Sequence, residues 1–560
     1  MDKSEMTMKT PFLPGGVKPR LILFCVLSLF LGVQPCLASG AGENEGKQRQ
    51  PNILLIVADD MGYADLGVFG SSIRTPRIDG LGRRGVIFSQ FHTAPMCAPT
   101  RSMLLSGNNN HVAGVGRQHP GPALKGKVPA YEGHLSDRVA TLPTVLKAAG
   151  YHTYIAGKWH LGAEGENSPR AAGFERSWTL LDGAASHFDD RGFENEPNVY
   201  RADGEMTSYP AGAYSTEFYT DRLIEFIESN RGDGRPFFAF AAYTSPHWPL
   251  QVPESELDRY SGVYDAGYDV LRERNFVNLK NAGIIPGDSR LPPRWDKITP
   301  WDELSLEQKK RESRKMELYA AMIENLDGHI GRLLDYLEAK GLMKNTLVVF
   351  MSDNGAAAND FYNGEPYKDY IRAHYDNRYE NMGGPNSFVS YGAPWAEAGS
   401  APFKRHKAYT SEGGITAPMI IAGHGVSQRD EVYRGMVTVM DLAPTFIGMA
   451  NGHYPDNGSV QPMRGKSIET ILSGSSSRVH DENEVFTVFH RNRAYVRQGH
   501  WKITQIETPF DEAGFALYDL ATDPGETTDL SQKFPEKRLE LIELWRQQRL
   551  ELGIILPSDL

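Results

Sequence analysis

The chain has 560 residues, with 59 Lys and Arg against 70 Asp and Glu, a formal charge of −11 and three cysteines. That acidic balance excludes a broad nucleic-acid footprint, because affinity for a phosphate backbone rests on excess Lys and Arg. With 40% hydrophobic and 10% aromatic residues, the chain can bury a core that offsets its conformational entropy, which excludes disorder and allows one large domain plus a smaller one.

At the start of the chain, Lys18 and Arg20 precede an apolar run over 21–33, followed by Cys36-Leu37-Ala38. A basic flank, an apolar stretch too short to span a bilayer and a small-residue cleavage pattern predict a secretory signal peptide over 1–38. A polar tether over 39–50 follows. The predicted product is exported, periplasmic or secreted. Loss of the leader removes Cys25 and Cys36, so Cys97 would be the remaining thiol and no intrachain disulfide could form.

From residue 51 the pattern is that of an α/β protein. The continuous apolar run 53–58 reads as a parallel strand buried on both faces, and it ends in Asp59-Asp60. The run 151–156 leads into Gly157-Lys158-Trp159-His160, and 237–243 leads into Thr244-Ser245-Pro246-His247. Ile323, Leu326, Ile330, Leu333 and Leu337 form a helical stripe, after which 347–351 repeats the strand pattern and ends in Ser352-Asp353-Asn354-Gly355. Ligands bind at the C-terminal edge of open parallel sheets, so these four strand ends are expected to converge. Residues 436–449 read as a further strand and helix of the same domain. After that come short strand-like runs at 484–489, 494–496, 501–506 and 515–520. A helix opened by Pro535 follows, with Leu539, Ile542 and Trp545 on one face. The predicted fold class is α/β, a large, mixed, mostly parallel sheet flanked by helices over 51–475. A smaller antiparallel sheet with a covering helix is expected over 476–560.

Three carboxylates and an amide at two strand ends, Asp59, Asp60, Asp353 and Asn354, are an all-oxygen donor set suited to a hard cation such as Ca2+ or Mg2+. One such pair alone would better suit helix capping or a solvated loop; two pairs on similar strand ends favour a metal. Cys97-Ala98-Pro99-Thr100-Arg101 reads as a loop entering a helix, where the dipole and Arg101 would favour a thiolate. An inert buried cysteine and a thiolate nucleophile both fit. His160 and His247 fit either catalysis or core packing, Lys158 and Lys407 either anion binding or a solvated loop, and His111 either a pocket or packing. Tyr362, Tyr367, Tyr370, Tyr375 and Trp395 could wall an aryl-binding mouth or pack the surface. Met351 and Phe237-Phe238 read as core.

Cys97-Ala98-Pro99-Thr100-Arg101 with Leu105-Ser106-Gly107 resembles the C-x-P-x-R signature of the sulfatase family, of the alkaline phosphatase superfamily. The other motifs occur in that family's order: Asp59-Asp60-Met61-Gly62-Tyr63, Gly157-Lys158-Trp159-His160-Leu161-Gly162, Pro246-His247-Trp248-Pro249-Leu250, Ser352-Asp353-Asn354-Gly355, Lys407 with Glu412-Gly413-Gly414, and Leu517-Tyr518-Asp519-Leu520 with Asp523-Pro524-Gly525-Glu526. The set is most similar to bacterial arylsulfatases of the Pseudomonas type. The resemblance implies that a modifying enzyme converts Cys97 to formylglycine before folding. The hydrate of that aldehyde would be the nucleophile, held by Arg101 and one calcium ion. It further implies Asp59, Asp60, Asp353, Asn354 and residue 97 as metal ligands and Lys158 and Lys407 as a sulfate clamp. His247 would be the proton donor to the leaving alcohol, and His160 would orient the hydrate. The implied reaction is hydrolysis of sulfate monoesters by a monomeric, exported enzyme. A phosphonate monoester or phosphodiester hydrolase of the same superfamily, and an inactive protein that binds sulfated glycans, are the competing readings.

Overall fold

The computed structural model describes residues 50–193 and 197–559; the predicted leader and most of the predicted tether lie outside them. The central sheet has ten strands, in the order Glu431–Tyr433, Gly85–Phe88, Met419–Gly423, Thr346–Ser352, Asn52–Ala58, Phe237–Ala242, His152–Lys158, Arg176–Leu180, Tyr200–Ala202 and Glu205–Thr207. Its five middle strands, from Thr346–Ser352 to Arg176–Leu180, are mutually parallel. The antiparallel pairings lie toward the flanks.

Continuous apolar strands arise here because both faces are covered. Along Asn52–Ala58, Leu54, Ile56 and Ala58 join one core, and Ile53, Leu55 and Val57 join the other. The first core includes Ile323, Leu326, Ile330, Leu333 and Leu337, the predicted stripe, on a helix that runs from Leu306 to Ala339. That helix begins well before the stripe. Its polar first turns are held by a capping box, in which Ser305 accepts from Gln308 N–H and Gln308 accepts from Ser305 N–H. The opposite core receives the helices Cys97–Ser106, Leu142–Ala148 and Leu442–Met449. The strand expected within 436–449 is a two-residue pairing, Val437–Thr438 with Phe91–His92, outside the main sheet.

The C-terminal four-stranded antiparallel sheet, Val485–His490, Arg493–Gln498, Trp501–Gln505 and Ala516–Asp519, is as expected. One of its faces packs under the helix Pro535–Leu552 through Leu541, Ile542, Trp545 and Leu552. Leu539 is 62% exposed, against the expected stripe. Position 539 lies about 120° around the helix from Trp545, whereas Leu541 and Trp545, four apart, share a face. The other face buries Phe486, Val488 and Tyr495 against the large sheet's second core. Among the described residues no helix is long and apolar enough to cross a membrane.

Candidate active site

Strand register explains why distant motifs meet. Ala58 pairs with Ser352, Val57 with Ala242, and Ala242 with Gly157, so the four chain segments leave the sheet level with one another. Gly157 is required there: its φ is +118°, and a Cβ would stand 1.9 Å from the Ala242 carbonyl oxygen. Asp60 and His160 follow their strands with φ of 68° and 59°, left-handed conformations that non-glycine residues hold mainly where the surroundings require them.

Cys97 opens its helix rather than preceding it. Met96 is the extended N-cap, and all ten helical residues are buried. The Cys97 thiol lies 3.4 Å from Asp59 Oδ1 and 3.6 Å from Asp60 Oδ1, and it accepts a hydrogen bond from Lys407 Nζ at 3.1 Å. Lys158 Nζ donates to both Asp59 oxygens at 3.0 and 2.7 Å, and Lys407 Nζ donates to Asp60 Oδ1 at 2.6 Å. Arg101, one helical turn after Cys97, donates from Nε and Nη2 to Asp353 Oδ2 at 3.1 and 2.9 Å and from Nη1 to the Lys158 carbonyl at 2.9 Å. Asp353 Oδ1 accepts from Asp60 N–H at 3.2 Å. Asn354 Nδ2 donates to Asp60 Oδ1 at 2.6 Å and to the Gly355 carbonyl at 2.9 Å. His247 Nε2 stands 3.3 Å from Asp60 Oδ2, and its Nδ1 is 2.7 Å from the Trp248 carbonyl.

Nine of the ten predicted residues therefore share one contiguous network. His160, the tenth, is buried with both ring nitrogens unpartnered among the described residues, packed against Gly183 and 5.8 Å from the His119 ring. His111 is buried elsewhere, its ring 5.6 Å from that of Tyr131, and it lines a separate cavity with Asn108 and Met463.

The charges balance: Arg101, Lys158 and Lys407 face Asp59, Asp60 and Asp353. Burial alone would raise the Asp60 carboxyl, but Lys407, His247 and Lys158 reverse this and hold it below the usual range. Burial and the neighbouring Asp59 raise the Asp353 carboxyl to about 6. Burial pushes the Cys97 thiol well up, with Asp353 adding to it. It pushes His247 and His160 well down, with Lys158 contributing to both. With the thiol and imidazoles neutral, the cluster carries no net charge; a dication would supply the positive charge that an anionic ester needs.

Two acceptor oxygens in this cluster, Asp60 Oδ2 and Asn354 Oδ1, are buried without a hydrogen-bond donor. Unpaired oxygens of this kind are expensive unless a cation or donor meets them, and hard oxygens suit calcium or magnesium. Asp59, Asp60, Cys97 and His247 can bring one ligand atom each within 4.8 Å of one another. His247 stands there in place of Asp353, whose Oδ2 is held by Arg101. The donor set fits a hard divalent cation.

Beside His247, Trp248 packs with Phe193, Phe361 and Phe388 in an aromatic cluster flanked by Tyr362, Tyr367, Tyr370 and Tyr375. Trp395 is not part of it. It is fully buried among Tyr264, Tyr268 and Trp301, because its helix packs inward against Gly267–Asn281.

A second buried network escaped sequence reasoning. Lys502 Nζ lies 2.6 Å from Glu412 Oε1 and 2.8 Å from Glu526 Oε1, and Glu526 Oε2 accepts from Glu412 N–H at 2.9 Å. His92 Nε2 stands 2.8 Å from Glu412 Oε2. This network anchors the short helix Glu412–Ile415, just after the Lys407 loop, to the C-terminal sheet.

A family model described as Sulfatase matches residues 51–453. An uncharacterized sulfatase of Schizosaccharomyces pombe is 38% identical over 544 residues, 93% of this chain and 97% of its own. An arylsulfatase of Klebsiella aerogenes is 38% identical over 449 residues, 78% of this chain and 95% of its own. The crystal structure of Ps i-CgsB in complex with k-i-k-neocarrahexaose shares the fold with a TM-score of 0.64 at 22% identity, covering 89% of this chain and 92% of that one. A protein solved in complex with its substrate D-glucosamine-2-N,6-O-disulfate has a TM-score of 0.60 at 19% identity, covering 90% and 98%.

Proposed function

The chain belongs to the sulfatase family of sulfuric ester hydrolases, and we propose that it cleaves sulfate monoesters to an alcohol or phenol and inorganic sulfate, with residue 97 as formylglycine and calcium as the cation. The observation that carries this reading is the setting of residue 97: the helix start beneath it, Lys407 at 3.1 Å, and Asp59 and Asp60 within 3.6 Å. When present, the ion would polarise the sulfate oxygens, and the hydrate of the aldehyde would supply the attacking hydroxyl. Asp59, Asp60, Asp353, Asn354 and residue 97 would hold the ion, and Asp353 also orients Arg101.

The side chains do the rest. Lys158 and Lys407, each turned toward a carboxylate, offer ammonium protons to the sulfate oxygens. This stabilisation matters most where charge builds in the transition state. The Trp248 carbonyl can only accept, so His247 Nδ1 carries a proton and any proton the ring moves must move at Nε2. A bound anion raises the His247 pKa, placing a proton on Nε2 for the departing oxygen as substrate arrives. His160, with no fixed partner, has a nitrogen available to accept a proton beside Lys158. The leader over 1–38 supports export, with residue 97 modified on the unfolded chain.

Steady-state kinetics with nitrophenyl sulfate and with a nitrophenyl phosphonate monoester test the assignment. A higher kcat/KM for the sulfate is expected. A strong preference for the phosphonate would overturn it in favour of the related phosphonate hydrolase activity, and no turnover of either by protein shown to carry the aldehyde would favour a binding role.

A further inference from the structure

The first hairpin of the C-terminal sheet ends at His490 and resumes at Arg493, so its two-residue turn is Arg491-Asn492, with φ of 48° and 66°. Both positions require left-handed backbone, for which Asn and Gly are the usual residues. Asn492 fits this rule and Arg491 does not, so an unfavourable backbone conformation is accepted at the turn to present a guanidinium there.

The turn leans on the rim of the candidate active site from two directions. Gln118 N–H donates to His490 Nε2 at 3.3 Å, which sets Arg117 and His119 beside the hairpin tip. Arg493 Nη1 reaches the carbonyl of Ala408, next to Lys407, at 3.4 Å. The His119 ring lies 5.8 Å from His160, which follows Lys158 by two positions. A continuous path thus runs from the sulfate clamp through His160 and His119 to Arg117 and Arg491.

This rim carries cations without counter-charges. Neither Arg117 nor Arg491 has a hydrogen bond or ion pair among the described residues, and Arg117 Nε is buried without a partner. His490, fully buried, leaves Nδ1 unpartnered. Both arginines act on one buried neighbour: burial, then Arg491 and Arg117, hold the His490 imidazole well below its usual value. Nearby, Arg101 and Arg405 face carboxylates, and Arg493 is held by the Ile506 and Ala408 carbonyls and the Tyr409 ring. Arg491 and His119 are exposed and Arg117 is half-buried at this rim, so an anionic group arriving from solvent can meet both guanidiniums, in a chain with 11 excess acids.

We propose that Arg117 and Arg491 form a second anion subsite at the mouth, with His119 between it and the catalytic cluster, that binds an anionic group of the substrate other than the scissile sulfate. This rests on the sulfate-ester reading above and narrows it: the preferred substrate carries at least two anionic groups, as a multiply sulfated or carboxylated saccharide does. The subsite binds and positions; it takes no part in bond breaking.

The test compares a monosulfated disaccharide with the same disaccharide bearing a second sulfate or a carboxylate on the neighbouring ring, in wild type, Arg117→Gln, Arg491→Asn and the double variant. Arg491→Asn suits the turn better than arginine, so its thermal unfolding should be no earlier than wild type. The ratio of kcat/KM for the dianionic over the monoanionic substrate should fall about 10-fold for each arginine lost, through KM, as expected for loss of a charge-assisted hydrogen bond. Salt should diminish the wild-type ratio and leave that of the double variant flat. An unchanged ratio in the double variant, or equal losses on both substrates, would overturn the proposal. Calorimetric binding of the same saccharides keeps the two readings apart. If wild type turned over neither ester, tighter binding of the dianion that vanishes in the double variant would still support the subsite, and equal binding would refute it.

Discussion

Replacing Lys502 with Met removes the cation from a fully buried trio. Lys502 Nζ is 2.6 Å from Glu412 and 2.8 Å from Glu526, and no member's side chain is more than 5% exposed. Burial raises the Glu526 carboxyl, while burial of Glu412 is overcome by Lys502 and His92, which hold that carboxyl well below its usual value. Without Lys502, two carboxylates joined through the Glu412 amide would face each other with Arg497 as the nearby cation. Loss of one partner from a buried pair costs about 3–5 kcal/mol, because the remaining charge keeps its desolvation penalty. The loss should be pH-dependent. In the variant, Glu526 is pushed further above its unfolded value, so stability present at low pH is lost as pH rises through the raised folded pKa. Urea unfolding followed by tryptophan fluorescence should show a larger deficit at pH 8 than at pH 5, and Lys502→Met with Glu526→Gln should recover much of it. kcat should fall too, since the network anchors the segment after Lys407. A deficit below about 1 kcal/mol, the scale of a solvent-screened pair, with no pH dependence would refute this account.

Gly355→Ala should lower kcat about 100-fold while leaving the far-UV spectrum unchanged, because a Cβ there would stand 2.0 Å from the Gly413 carbonyl oxygen and misplace Asn354 and the Lys407 loop. His480 bridges Asp441 and Glu484 at 2.8 Å each, and although burial lowers its pKa these contacts raise it overall. Its contribution is therefore complete below about pH 6.5 and lost as pH climbs through the folded value. His480→Gln should cost about 1–3 kcal/mol at pH 5.5 and less at pH 9 in the same urea assay. Dialysis against a chelator should abolish turnover and added calcium restore it; full activity in protein shown to be free of calcium and magnesium would contradict the hard-cation assignment.

Much of the candidate site could be read from the sequence because buried parallel strands are continuous apolar runs and each one ends in its polar residues. The register that levels Ala58, Ala242, Gly157 and Ser352 then does what the topological rule predicts. What could not be read depends on long-range packing. Lys502 sits in a short strand of mixed character and meets Glu412 and Glu526 from distant segments, so nothing local marks it as buried. Trp395 lies in a stretch rich in Gly and Pro that resembles a surface loop, yet it belongs to a helix packed inward. Arg491 gives no signal until the hairpin register shows which two residues form the turn. The early turns of Leu306–Ala339 carry no apolar stripe, and the start is marked only by the capping-box signature of Ser305 and Gln308.

The central claim, that residue 97 in modified form is the reacting centre for sulfate esters, is tested most directly by inorganic sulfate release from an aryl sulfate. The comparison is between wild type and Cys97→Ser, both coexpressed with a formylglycine-generating enzyme, with the residue-97 peptide weighed in the same samples. Wild-type protein should show that peptide about 18 Da lighter than the cysteine form, as conversion of a thiol-bearing carbon to an aldehyde requires. It should release one sulfate per phenol, in proportion to the modified fraction, while the folded serine variant is inactive. Turnover by Cys97→Ser near the wild-type rate, or full wild-type activity with the peptide at its cysteine mass, would contradict the claim.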